Sequence, residues 1–322
     1  MIAYYLHDLN PVLLPFGEKG GIHWYGVAYV VAFFLGFLVL RSLARKNLTE
    51  IPKAKLGDFI TYSAIFGVLI GGRVGYILLY DLDNFLANPL SLFLINRGGM
   101  ASHGGFLGVA LFTLFWSRRN KLSWTGVGDD FVTAAPVGIF VVRVANFVNG
   151  ELFGRVTSVP WAVRFPGEVF DSRYQIPEKF DGEIPWSELS GSSSEIVGRA
   201  SSSPELARFL ELGLNPRHPS QIYEALLEGL VLFIILLVTR LRFPRLPHGI
   251  LTGMFFILYA LFRIFCELYR LPDDGEPLIL EISKGQFYSL FMLVGGLAFL
   301  GWGFLRRNQH GRNVPVHDSS QN

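Results

Sequence analysis

Apolar residues run almost unbroken through seven stretches of this chain, about Ile22–Leu43, Phe59–Tyr80, Met100–Trp116, Phe131–Val148, Ile222–Leu241, Gly249–Glu267 and Phe287–Leu305. A helix needs roughly 20 such residues to cross the hydrocarbon of a bilayer. The pattern therefore predicts an all-α polytopic membrane protein with seven transmembrane helices, the third of them short and glycine-rich.

The polar positions between these runs alternate in sign. Basic residues follow the first run (Arg41, Arg45, Lys46, Lys53, Lys55), the third (Arg118, Arg119, Lys121), the fifth (Arg240, Arg242, Arg245) and the seventh (Arg306, Arg307, Arg312). The opposite loops are acidic or mixed, with Asp81 and Asp83 after the second run and Asp273, Asp274 and Glu276 after the sixth. Short loops rich in Lys and Arg stay in the cytoplasm. The N-terminus is accordingly expected outside and the C-terminus in the cytoplasm. One long region, 149–221 between spans four and five, falls outside as a head or loop. Within it "WAVRFPGEVF" is a candidate short strand, and "SELSGSSSEIVGRASSS" is so serine-rich that a flexible insert is expected.

Composition supports one membrane domain over residues 1–322 rather than two soluble ones. The chain is 51% hydrophobic and only 17% charged, against about 25% charged in soluble domains, and its mean hydropathy is +0.38. A net charge of +2 argues against nucleic acid as a partner. A single cysteine, Cys266, excludes an internal disulfide or a cysteine-based metal site. The start "MIAYYLHDLNP" lacks the basic region of a cleavable leader, so the first run is expected to remain.

Polar residues inside the runs are the exception, and burying a charge there costs at least a few kcal/mol. Helical rise places each of them in the outer half of its span: Tyr25 in the first, Arg73 in the second, His103 in the third, and Arg143 with Asn146, Asn149 and Glu151 at the end of the fourth. Span five opens with Glu224 and Glu228, and span six ends with Arg263 and Glu267, four apart on one helix face. Taken singly, Arg263 and Glu267 read as an intrahelical ion pair, His103 as a packing residue and the glycines as close-packing positions. Taken together, three arginines, a histidine and several carboxylates on one side of a membrane suit an anionic lipid headgroup, which the guanidinium fork grips through two oxygens. A histidine near neutrality serves as a general base. No HExxH, GxSxG or Walker pattern is present. A metal-free acid/base reaction on a lipid is the reading that remains. An anionic-phospholipid transporter or a non-catalytic lipid-binding protein is the alternative, although a transporter should carry polar residues through its full depth.

The motifs "HWYG", "GGRVGY", "GGMASHGG", "RVANFVNGELFGR", "RHPSQIYEALLEG" and "FRIFCELYRLPD", in this order and spacing, resemble the prolipoprotein diacylglyceryl transferase family across all seven spans. The resemblance implies transfer of the diacylglyceryl group of phosphatidylglycerol to the lipobox cysteine of a preprolipoprotein, at the outer face of the bacterial inner membrane and without a cofactor. Its essential residues would fall on Tyr25, His103, Arg143, Asn146, Gly154 and Arg263, with Glu151, Glu224 and Glu267 in support. Arg143 and Arg263 would hold the phosphate and His103 would take the thiol proton. An arginine-polarised reaction without a dedicated base stands as the competing mechanism. Val142 departs from the glycine usual before the arginine of span four.

Overall fold

A computed structural model describes residues 4–16, 20–93, 99–272 and 282–312; for Ser102, His103 and residues 306–312 it describes the backbone alone. A two-residue strand β1 (Tyr5–Leu6) precedes a hairpin of β2 (Val12–Phe16) and β3 (Gly20–His23), which leads straight into α1 (Trp24–Arg45). Next come α2 (Lys53–Tyr80), a short α3 (Leu82–Ala87), α4 (Ser102–Asn120) and α5 (Trp124–Asn149). The head follows, with β4 (Val163–Arg164), α6 (Ser193–Arg199) and α7 (Pro204–Arg208). Three long helices close the chain: α8 (Ser220–Arg242), α9 (Ile250–Glu267) and α10 (Lys284–Arg312).

Among the described residues, six helices are long and apolar enough to cross a membrane: α1, α2, α5, α8, α9 and the Lys284–Leu305 part of α10. The chain is thus a multi-pass membrane protein. The expected third span is helical as α4 but is not one of the six. Its glycines, serines and terminal Arg118 and Arg119 dilute its apolar character.

The fold divides into two compact units. One comprises Met1–Ala32, Pro136–Ile235 and Phe255–Leu297; the other comprises Phe33–Ala135, Leu236–Met254 and Ala298–Asn322. Helices α1, α5, α8, α9 and α10 contribute residues to both.

In the second unit the glycines of α2 and α4 let two backbones touch. A Cβ on Gly71 would stand 2.8 Å from the Cα of Gly108, and one on Gly104 2.7 Å from the Cα of Gly75. Small residues at such crossings replace the hydrophobic drive that lipid cannot supply. Buried Asp129 accepts hydrogen bonds from the Gly249 and Thr252 amides at the start of α9 (both 2.8 Å), so a residue of α5 caps that helix. Its neighbour Asp130 accepts from the Ile51 amide and pairs with Arg240 at 3.2 Å.

In the first unit β1 pairs with β4 in parallel, which makes a strand of "WAVRFPGEVF" as expected. The serine-rich stretch corrects an expectation: it is folded. Ser192 caps α6 in a reciprocal capping box with Glu195, and Ile196 and Leu189 are buried with Leu206, Phe209 and Val169. Few apolar residues sufficed because the capped helix turns Ile196, Val197 and Ala200 toward the cluster and Leu189 reaches it from the preceding turn.

Candidate active site

The run "FVVRVANFVNGELFGR" changes character because it crosses the end of a helix. Gly150, at φ +68°, terminates α5. Its amide donates to the Phe147 carbonyl (2.9 Å) and the Glu151 amide to the Asn146 carbonyl (3.2 Å), the two bonds of a Schellman motif. The reversal brings the Glu151 carboxylate back over the last turn, where it accepts from Asn146 Nδ2 (2.8 Å) and Asn149 Nδ2 (3.2 Å).

Backbone bonds then tie three motifs into one frame. The Gly154 amide donates to the His218 carbonyl (2.9 Å), the Arg155 amide to the Tyr269 carbonyl (2.8 Å) and the His218 amide to the Arg155 carbonyl (3.0 Å). Gln221 Nε2 donates to the Glu151 carbonyl (2.6 Å) and Ser220 Oγ to the Leu152 carbonyl (2.8 Å). Beneath the frame, Arg217 pairs with buried Glu168 and donates through Nη1 to the Gly154 carbonyl at 3.2 Å. Burial pushes the Glu168 carboxyl above the ordinary carboxylate range, against the pull of Arg217. Burial also lowers His218 below the usual histidine range.

This frame sets the ends of α5, α8 and α9, and on those helices the charges meet. Arg143 of α5 reaches Glu224 Oε2 with Nη1 (3.2 Å) and Glu228 Oε2 with Nη2 (3.4 Å). Arg263 of α9 approaches the other oxygens of the same carboxylates, Glu224 Oε1 at 2.6 Å and Glu228 Oε1 at 3.5 Å, and Glu267 Oε1 at 2.5 Å. Arg270 adds Nη1 contacts to Glu224 (3.8 Å) and Glu267 (3.6 Å). The side chains of Glu224 and Glu228 are fully buried, while that of Arg143 is 17% exposed. Three arginines face three glutamates, so the cluster is balanced rather than positive in excess. Such balance reduces the cost of burial. It also means that an entering anion must share these arginines with carboxylates that already hold them.

Other sequence-predicted residues separate into different roles. Tyr25, 37% exposed, lies within electrostatic reach of Arg143 and Glu151, and its hydroxyl is 3.4 Å from that of Tyr29. Asn146 and Asn149 orient Glu151. Gly154 serves the frame, since a Cβ there would stand 2.6 Å from the His218 and Tyr269 carbonyl oxygens. Arg73 belongs to the second unit, where it donates to the Leu92 (3.2 Å), Gly99 (3.0 Å) and Ser91 carbonyls and lies over the Tyr76 ring. The His103 backbone opens α4, and its side chain lies outside the described residues. Sequence reasoning placed Glu228 among the converging polar residues without giving it a role, and it did not name Arg270. Their spacings, four after Glu224 and three after Glu267, carried the signal.

A family model described as prolipoprotein diacylglyceryl transferase matches residues 11–302. The chain is 39% identical over 308 residues to a relative from Serratia proteamaculans (93% of this chain, 95% of the relative). It is 38% identical over 316 residues to one from Cronobacter sakazakii (96% and 99%) and 36% over 299 residues to one from Nitrosomonas europaea (92% and 91%). All three relatives are named phosphatidylglycerol–prolipoprotein diacylglyceryl transferase.

Proposed function

The chain belongs to the prolipoprotein diacylglyceryl transferase family, and from that membership we infer that it transfers the diacylglyceryl group of phosphatidylglycerol to the lipobox cysteine thiol of a preprolipoprotein. The observation that carries the reading at the level of residues is the sharing of Glu224 and Glu228 by Arg143 and Arg263 within a membrane helix bundle.

In the reaction a carbon–sulfur bond forms at the sp3 carbon of the diacylglyceryl group and its carbon–oxygen bond to phosphate breaks. The thiol proton passes to a base, and glycerol phosphate leaves with the bonding electrons. Charge grows on the leaving phosphate, which is where preorganised donors accelerate a reaction most. Arg143 and Arg263 are the proposed donors. Each holds a guanidinium edge against carboxylate oxygens, and a phosphate diester offers the same two-oxygen face. Glu224, Glu228 and Glu267 keep both forks aimed before the lipid arrives, so little reorganisation is left for the transition state. Tyr25, Asn146, Asn149 and Glu151 would line the mouth, and His103 is the proposed base, with an arginine-polarised thiol as its competitor.

The reaction also sets the proposed topology. Seven spans with α4 as the third put the N-terminus and the 149–221 head outside the bacterial inner membrane and the C-terminus in the cytoplasm. The signal peptide then enters from the outer leaflet.

The test is to incubate the purified protein with phosphatidylglycerol and a lipobox peptide and to read the peptide mass. The expected product carries one diacylglyceryl group on its cysteine and is lost when that cysteine is replaced by serine. Unchanged peptide mass would overturn the reading.

A further inference from the structure

In the second unit, the last turns of α1 and the first turn of α2 flank an open surface groove of about 590 Å³ lined by Phe37, Arg41, Lys53, Ala54 and Gly57. Its two sides differ in chemistry. Arg41 stands 5.9 Å from the centroid of the Phe37 ring, one turn earlier on α1, which holds its guanidinium over an apolar surface. Lys53 supplies the second cation. Neighbouring Lys55 is engaged elsewhere, its Nζ donating to Asn120 Oδ1 at 2.7 Å. Among the described residues no carboxylate forms an ion pair with Arg41 or Lys53, and the nearby Glu50 faces His248 at 3.8 Å. The floor is open: a Cβ added at Gly57 would meet nothing within 4 Å.

We propose that this open groove binds the headgroup phosphate of an anionic glycerophospholipid, with Arg41 and Lys53 on the phosphate and Phe37, Ala54 and Gly57 against the glycerol backbone and first acyl carbons. Two cations without acidic partners select an anion. The apolar floor selects a lipid over a soluble phosphate ion, which would satisfy the cations and leave the floor uncovered. Both walls of the groove belong to helices long and apolar enough to cross a membrane, which sets the site beside lipid. In the orientation proposed above the site faces the inner leaflet, whose anionic lipids attract basic side chains. It involves none of the residues assigned to the transfer reaction.

The experiment is hydrogen exchange of residues 53–58 in the full chain in neutral detergent. Dioleoyl phosphatidic acid, dioleoyl phosphatidylcholine and sodium phosphate are titrated separately. Because the readout is local, lipid bound anywhere else does not contribute. Phosphatidic acid should slow exchange in this segment, while phosphatidylcholine and millimolar phosphate should not. In the Arg41→Gln/Lys53→Gln variant the midpoint should rise about thirtyfold, as expected for two basic contacts to an anionic headgroup. Gly57→Leu keeps both charges and fills the floor, and it should raise the midpoint as well; both changes lie at exposed positions. An unchanged midpoint in either variant would overturn the proposal. Equal protection by sodium phosphate would overturn the lipid assignment.

Discussion

Adding one methyl group to Gly154 would drive it into two carbonyl oxygens that are already hydrogen-bonded, those of His218 and Tyr269. Neither neighbour is the free end of a side chain, so the backbone itself has to move. Gly154→Ala is therefore expected to cost about 3 kcal/mol by overpacking and to lower the thermal midpoint, with activity falling only in proportion to the folded fraction. A full-strength fold with a large loss of turnover would place Gly154 at the substrate instead. His103 divides two mechanisms. As the base, His103→Gln should lose about 10²–10⁴-fold in rate and regain part of it as pH rises and thiolate forms unaided. A pH–rate profile parallel to that of the parent protein would remove it from that role. At this scale the sequence was informative where partners are local. Arg263 and Glu267 are four apart on one helix and do pair. Arg270 escaped because it stands beyond the apolar run, although its register, three after Glu267, keeps it on the same face. That Arg143 and Arg263 share carboxylates depends on how three helices are set against one another, which no local spacing encodes.

Elements show the same division. Six of the expected spans are present as helices of membrane-crossing length and apolarity, because a single-helix property decides them. Helix α4 is marked instead by its fit to α2, and a larger side chain at Gly104 should separate the two backbones. Gly104→Leu is expected to abolish folding of the purified protein, whereas Gly295→Leu, where an added Cβ has no neighbour within 4 Å, should be neutral in a thermal melt. Among the described residues, local pitch departs from the α-helix in three places, Ser63–Ile70 in α2, Phe209–Gly213 in the head and a turn beside the charge cluster. The Ala225–Val231 turn of α8 is a π-helix beginning one residue after Glu224 and containing Glu228, a feature often found at functional sites. Nothing in "HPSQIYEALLEG" announces it. The serine-rich stretch was misread for the opposite reason. Its capping pattern, Ser192 with Glu195 three residues on, was there to be read, but counting apolar residues hid it.

For the molecule as a whole, the N-terminal segment that pairs with the head carries a pH signature. His7 is fully buried, its Nε2 sits 2.7 Å from the Phe147 carbonyl, and burial holds its pKa below 6.5 despite that hydrogen bond. The unfolded chain thus binds a proton more readily than the folded one. The contribution of His7 to stability is full above pH 6.5 and is lost as pH falls below it. His7→Gln should flatten the melting temperature between pH 7 and 5 relative to the parent protein. Topology offers a second check. With Cys266 replaced by serine, cysteines at Ser194 or Ser201 should react with a membrane-impermeant reagent in intact cells and one at Lys53 should not; the reverse pattern would invert the placement of the site. The central claim is that a two-oxygen arginine grip on a lipid phosphate drives transfer, and Arg143→Lys tests it most directly. The substitution keeps the charge among Glu224 and Glu228 and removes only the fork. Lipobox peptide modification by the folded variant, followed by mass, is expected to slow at least roughly a hundredfold, the cost of losing one preorganised donor. Near-normal turnover by a correctly folded Arg143→Lys protein would contradict the account.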